Sequence, residues 1–248
     1  MYNINFIACA IDKKGDLYES FLIPFTFFAL LSNINSHVEI IVCDPERFIS
    51  KFSEEIEAIK KYNNNFLIRK LDFKINNHSP NTYRFFEKPI IDSIFTYIAD
   101  IDIIFLENVL DKYNENWPDN LPYSNVIRVK DTRHLSGVHM VNTQKYFTKD
   151  FIECQYKYYT LDKKINDEIV LFNMCKEIHG LPNIKFRFRP ILGIHFSPNR
   201  GIRKKMKLRT SDKYFNDFIE LSKKYNDLFK FKIFSKLLSK LNKGFIIK

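Results

Sequence analysis

Thr96-Tyr97-Ile98-Ala99-Asp100-Ile101-Asp102-Ile103-Ile104-Phe105-Leu106-Glu107-Asn108 is the stretch on which the fold turns. Its apolar run reads as a buried strand, interrupted by two carboxylates, Asp100 and Asp102. An ionised carboxylate in such a place is costly unless it is paired or bound to a metal. Two of them, two residues apart on one face of an extended segment, repel unless a cation sits between them. A divalent Mn2+ or Mg2+ that bridges carboxylates to a diphosphate removes that repulsion. The pair therefore points to a nucleotide-diphosphate site, and an ordinary acidic turn between strands is the plain alternative.

Outward from this stretch, strands alternate with helical patterns. Ile4 to Ile11, Val38 to Cys43, Phe66 to Leu71 and Ile94 to Ala99 read as strands. Tyr18 to Ser32 and Ser53 to Tyr62 read as helices between them. Asp44-Pro45 closes the second strand, and further helices are expected at Gln144 to Tyr159 and Asn166 to His179. Such alternation predicts an α/β fold with a mainly parallel sheet flanked by helices. Ligands of open α/β sheets bind beyond the carboxyl ends of the strands, where Asp100 and Asp102 would sit.

Composition narrows the function classes. With 248 residues, 45% hydrophobic, 25 Phe and 13 Tyr, the chain builds one sizeable core. Only 6 Gly are present, and no Gly-rich phosphate loop occurs, so phosphate recognition falls to a metal and basic side chains. Cys9, Cys43, Cys154 and Cys175 show no Cys-x-x-Cys spacing. They read as free thiols in a reducing compartment rather than as a zinc site. No secretory leader and no membrane-spanning run is visible, so the expected location is the cytoplasm.

Charge is concentrated at one end. From Arg200 to Lys248 there are 15 Lys+Arg against 4 Asp+Glu, a balance of +11. The whole chain carries +10, which leaves −1 for residues 1–199. The expected division is a catalytic body over 1–200 and a basic amphipathic helical tail over 201–248. In the tail, Phe215, Phe218, Leu221, Tyr225, Leu228 and Phe229 form a stripe suited to packing on the body. Beyond it, Phe231, Phe234, Leu238 and Leu241 oppose Lys232, Lys236, Lys240 and Lys243. A basic amphipathic helix over 230–248 suits an anionic membrane surface, which makes the protein peripheral at the inner face of the membrane.

Several separated motifs resemble, in order, the GT-A type of nucleotide-sugar glycosyltransferase, most nearly the bacterial surface-polysaccharide enzymes related to retaining galactosyl- and glucosyltransferases. Tyr97-Ile98-Ala99-Asp100-Ile101-Asp102 is similar to the family's Asp-x-Asp strand end, and Asn81-Thr82-Tyr83-Arg84-Phe85 to its Tyr-x-Arg segment. Leu135-Ser136-Gly137-Val138-His139-Met140-Val141-Asn142 resembles Asn-Ser-Gly-Val-x-x-x-Asn. Asn166-Asp167-Glu168 stands where Asp-Gln-Asp is usual, and Gly193-Ile194-His195-Phe196 resembles the metal-binding His-Phe.

The resemblance implies a job for each piece. Asp100, Asp102 and His195 hold Mn2+ (or Mg2+), the imidazole favouring Mn2+. Ala8, Ala10, Asp12 and Tyr18 seat the nucleoside. Arg84 approaches the donor sugar or the Asp pair, Ser136 and Gly137 approach the donor sugar, and Arg200, followed by Arg203, Lys204 and Lys205, pairs with phosphate. Asp167 and Glu168 are the catalytic candidates, as nucleophile, as base or as sugar contacts. The chain departs from the family at Leu135, where an amide is usual, and at Asp167, where a Gln is usual. The bland readings are an N-terminal helix charge pair for Asp167 and Glu168 and a core histidine for His195. The implied partners are a UDP-sugar donor and a saccharide or lipid-linked saccharide acceptor, with no nucleic acid. A nucleic-acid binder gripping phosphates through Lys185 to Arg189 and the tail is the rival, and a nucleotidyltransferase ranks behind it.

Overall fold

The computed structural model describes residues 1–11, 18–98, 100–118, 120–128, 133–196 and 210–244, without the side chains of 242–244. Its frame is a six-stranded sheet in the order β3-β2-β1-β4-β7-β6. The strands are β1 Tyr2–Cys9, β2 Ser36–Val42, β3 Phe66–Lys70, β4 Ser93–Ile98, β6 Tyr123–Ser124 and β7 His139–Asn142. The first four pair in parallel, and β7 and β6 close one edge antiparallel. The expected mainly parallel α/β sheet is therefore what forms.

Strand period two sorts the side chains onto the two faces. Ile4, Phe6 and Ala8 of β1 join Val38, Ile40 and Val42 of β2 in one core cluster. That face is covered by α1 (Glu19–Ser32), α3 (Ser53–Lys60) and the C-terminal helices. Ile7 and Ile41 point the other way, under a short helical turn at Pro80–Phe85, α6 (Lys149–Thr160) and α7 (Asp167–Ile178). Aromatic rings do most of the filling. Phe6 lies 5.4 Å from Phe105 and 5.6 Å from Tyr97, and Phe25 lies 5.6 Å from Phe105. Burying each such ring contributes about 1.5–3 kcal/mol.

Strand order reverses beside β1, because β2 and β3 lie on one side of it and β4 on the other. The gap at the carboxyl ends of β1 and β4 is thus the switch point of the sheet, where open α/β folds place ligands. Asp100 follows β4 at this edge. The acidic pair does not lie on one extended face, as expected. β4 ends at Ile98, and Ile101 and Asp102 form a turn before β5 (Ile103–Phe105). β5 leaves the main sheet and pairs antiparallel with β8 (Gly193–His195).

Two other expectations change in detail. Asp44-Pro45 ends β2 but also starts a helix, α2 (Pro45–Lys51), since the Asp44 carboxylate accepts from the Arg47 amide at 3.0 Å. The single helix expected over 144–159 is split into α5 (Thr143–Tyr146) and α6. Thr148 caps α6 by accepting from the Phe151 amide, and a side chain so engaged favours a new start over continuation.

The expected boundary at residue 200 lies outside the described residues. Beyond it, α8 (Asp212–Lys224), α9 (Asn226–Phe229) and α10 (Lys232–Gly244) pack on α1. Phe218 stacks on Phe28 at 5.4 Å, and Tyr225 meets Phe27 at 5.1 Å. Phe234, Leu237 and Leu241 of α10 are buried in the same cluster, so much of its apolar side faces the core. Among the described residues, no helix is long and apolar enough to cross a membrane.

One buried charge cluster was not legible in advance. Arg69 donates to Glu39 at 2.8 Å and to Glu87 at 2.6 Å, and both carboxylates are fully buried. Asn5 donates to Glu39 at 2.6 Å, and the Ile90 and Ile91 amides donate to it as well. The cluster ties the chain before β4 to β2 and β3. Two buried carboxylates share one guanidinium, so one proton restores neutrality, and burial pushes Glu87 up from 4.5 to about 7. A raised carboxyl pKa means that the folded state holds the extra proton. Its stabilising contribution is complete below pH 4.5 and lost as pH rises through about 7. The melting temperature of wild type relative to Glu87→Gln is therefore expected to fall across that window, and a pH-independent difference would contradict the linkage. Arg69→Ala, which strands both carboxylates, should cost about 3–5 kcal/mol in denaturant titrations.

Candidate active site

Asp100, Asp102 and His195 each offer a ligand atom, and these atoms lie within 4.8 Å of one another. Asp102 and His195 lie 93 positions apart in the sequence, and strand pairing joins them. Ile103 is the register partner of His195, and the Phe196 amide donates to the Asp102 carbonyl at 2.8 Å. Gly193 is what permits the pairing. A Cβ there would stand 1.9 Å from the Ile104 carbonyl oxygen, so only glycine fits. Leu192 before it takes φ 53, a conformation costing a non-glycine residue about 1 kcal/mol.

The cluster fits a divalent cation. Asp102 Oδ1 is buried with no hydrogen-bond partner, yet it lies 3.0 Å from His195 Nε2. Two donors aimed together at about 3 Å match neighbouring corners of an octahedron with bonds of about 2.1 Å. One nitrogen and two carboxylates form a mixed donor set suited to a first-row divalent ion.

Arg84 completes the charge balance. Its guanidinium lies 2.7 Å from Asp100 Oδ1 and 3.0 Å from Asp167 Oδ2, so one side chain spans both carboxylates. Burial opposes ionisation of Asp100, but Arg84, His195 and Arg189 outweigh it and hold the carboxyl below its usual range. Burial likewise disfavours a charged Arg84, and Asp100 with Asp167 overcomes this and raises it further. The proximity of Arg189 was missed in the sequence. It belongs to the Lys185 to Arg189 segment that reads as a phosphate grip.

The Ser136-Gly137 segment packs against this bridge. A Cβ on Gly137 would lie 2.9 Å from Arg84 Nη2 and 3.3 Å from both Asp100 oxygens. Asn125 holds the segment by accepting from the Ser136 amide at 3.0 Å and donating to its carbonyl at 2.9 Å. The Ser136 hydroxyl is buried and accepts from the Val138 amide. Asn125 also bonds His139 at 2.9 Å, and burial takes that imidazole down to about 3, so it stays neutral.

Asp167 and Glu168 stand in the first turn of α7, as the bland reading held, and they also reach the site. Asn166 caps the helix through the Glu168 amide, at 2.9 Å. Asp167 joins Arg84, while Glu168 accepts from the Gly137 amide at 3.1 Å and pairs with Arg128. Burial raises the Glu168 carboxyl, which Arg128 partly offsets. Arg128 and Asn125 carry no motif and were not expected. Ala8 and Ala10 lie at the carboxyl end of β1, both buried, and Tyr18 packs half-buried on the core. Asp12, Arg200, Arg203, Lys204 and Lys205 lie outside the described residues.

The architecture is a GT-A-like glycosyltransferase fold. The sequence matches no family model and no curated protein. Among solved structures, the apo form of glycosyltransferase GlyE from Streptococcus pneumoniae aligns with a TM-score of 0.50 at 13% identity. That alignment covers 73% of this chain and 44% of the other. A second GlyE structure aligns with a TM-score of 0.49 at 16% identity, over 72% of this chain and 44% of that one. The present chain thus spans less than half the length of those proteins.

Gly193→Ala is expected to weaken Mn2+ binding and lower the melting temperature together, because it separates β8 from β5. His195→Ala is expected to weaken Mn2+ binding at least as much with a smaller fall in melting temperature, because it leaves the backbone pairing of β8 with β5 in place. Paramagnetic titration of Mn2+ beside thermal melts checks both. Equal Mn2+ affinity in the two variants and wild type would remove His195 from the ligand set.

Proposed function

We propose that this protein is a metal-dependent glycosyltransferase that moves a hexose from a UDP-sugar to a bacterial surface glycan, in lipopolysaccharide, lipooligosaccharide or capsule. The observation that carries this reading is the Asp100–Asp102–His195 cluster at the switch point of a GT-A-like sheet. The likeness in fold to GlyE, a glycosyltransferase, supports the transferase class.

Asp102 and His195 would hold Mn2+ (or Mg2+), with Asp100 beside them. Bound there, the ion supplies a Lewis acid for the departing diphosphate. Arg84 keeps Asp100 ionised and fixes its orientation. Ala8 and Ala10 at the end of β1 seat the nucleoside together with Asp12 and Tyr18, and Arg200 pairs with phosphate. Ser136 and Gly137 shape the wall for the donor sugar, and the absence of a side chain on Gly137 leaves room for the Arg84–Asp100 bridge behind that wall. Asp167, oriented by Arg84, is the carboxylate assigned to the reacting carbon or the acceptor hydroxyl. Glu168 acts beside it and fixes the Gly137 backbone.

The acceptor is a saccharide or lipid-linked saccharide, met by a cytoplasmic protein peripheral at the inner membrane face. The lysines of α10 support that location, since Lys232 and Lys236 are exposed.

Calorimetric titration of UDP, ADP and GDP, with and without Mn2+, tests the reading on wild type and Asp102→Ala. UDP should bind only with Mn2+, and the variant should lose at least about a hundredfold in affinity. No nucleotide binding with any divalent metal would overturn it, and the basic C-terminal helices would then be tested on a random DNA duplex.

A further inference from the structure

A groove between α1 and α10 has no part in the chemistry above. Phe21, Pro24, Ile233 and Leu237 form its apolar walls, and Ser20, Lys236 and Lys240 complete its lining. The Lys240 ammonium stands 6.0 Å over the Phe21 ring. Lys230 just before α10 and Lys232, Lys236 and Lys240 on it face no acidic residue of that helix, so the field at this rim is positive. An apolar slot beside two cations matches one kind of ligand, a hydrocarbon chain that ends in an anion. Position strengthens the match. α1 starts soon after β1 ends, so its first turns lie at the edge of the sheet that carries Asp100.

We propose that this groove binds a phosphate-bearing membrane lipid, with hydrocarbon against Phe21, Pro24, Ile233 and Leu237 and phosphate on Lys236 and Lys240. The proposal rests in part on the transferase reading, because a lipid held here brings the membrane end of an acceptor to the catalytic edge. It also gives α10 a defined lipid contact although Phe234 and Leu241 are committed to the core.

The test uses the full chain and lysophosphatidic acid below its micelle-forming concentration, with inorganic phosphate and lysophosphatidylcholine as comparisons. Calorimetry should show saturable binding of lysophosphatidic acid and little of the other two. Lys236→Glu/Lys240→Glu should weaken it about thirtyfold. Ser20→Trp, which fills the groove without altering charge, should abolish it, and Lys223→Glu/Lys224→Glu on α8 should leave it within about twofold. Phosphate binding as strong as the lipid's overturns the proposal, as does unchanged affinity in either groove variant. Capture of a random DNA duplex through the same lysines, without lipid binding, overturns it too. If Ser20→Trp does not fold by circular dichroism, the charge-reversed pair decides. UDP titrations with Mn2+ on the same samples separate the two readings. Lipid binding without nucleotide binding removes the transferase alone, and the converse removes the groove alone.

Discussion

Four carboxylates, Asp100, Asp102, Asp167 and Glu168, meet at the carboxyl edge of the sheet, and their mutual repulsion is the constraint around which the rest is arranged. Each has a compensating group. Arg84 spans Asp100 and Asp167, Arg128 and the Gly137 amide take Glu168, and Asp102 faces His195. Asp102 is the least satisfied, with one buried oxygen lacking a hydrogen bond. That imbalance is what a divalent cation corrects. A site made this way is weakly stable by itself and strongly dependent on the scaffold that holds it.

The scaffold meets that demand with backbone geometry more than with side-chain bonds. β5 leaves the main sheet after the turn at Asp102 and takes β8 as its partner, which sets His195 beside it. Gly193 allows the close approach and Leu192 takes up a strained conformation before it. On the far side, Asn125 clamps the Ser136 backbone from both its N–H and its carbonyl. The aromatic core beneath, with Phe6, Tyr97 and Phe105 in mutual contact, ties β1, β4 and β5 into one rigid floor.

The C-terminal helices extend the same core. Phe218, Tyr225, Phe234 and Leu241 are buried against the core that α1 shares, so α8 to α10 are anchored to the body. Lys213 pairs with Glu107 just after β5, and Tyr62 donates to Asp227 at 2.7 Å, which fixes the helices at two further points. Among the described residues, Lys223, Lys224, Lys230, Lys232 and Lys236 give these helices a solvent-exposed basic face. The lipid groove lies at the junction of that face with α1.

Short apolar runs and the helical stretches between them determined the α/β class and the parallel strands, because a strand buried on both faces states its demand for burial in its own residues. The acidic pair was legible because two carboxylates are costly in an apolar run, whereas His195 and Gly137 were singled out only by the motifs they share with the resembled family. Tertiary structure alone decided the rest. Asp100 and Asp102 are placed by a turn, because the chain after Ile98 leaves β4 for a second sheet. Arg84 and Asp167 were named from the resemblance, but their bridge to Asp100 and the parts played by Arg128 and Asn125 arise only when segments far apart in the chain are brought into contact. The Glu39–Arg69–Glu87 cluster was hidden for the same reason, since a charged residue in a strand is compensated by partners from other segments. Which way α10 faces was likewise undecided by its own pattern, because an apolar stripe suits a core and a membrane equally. The aromatic surface of α1 settled it.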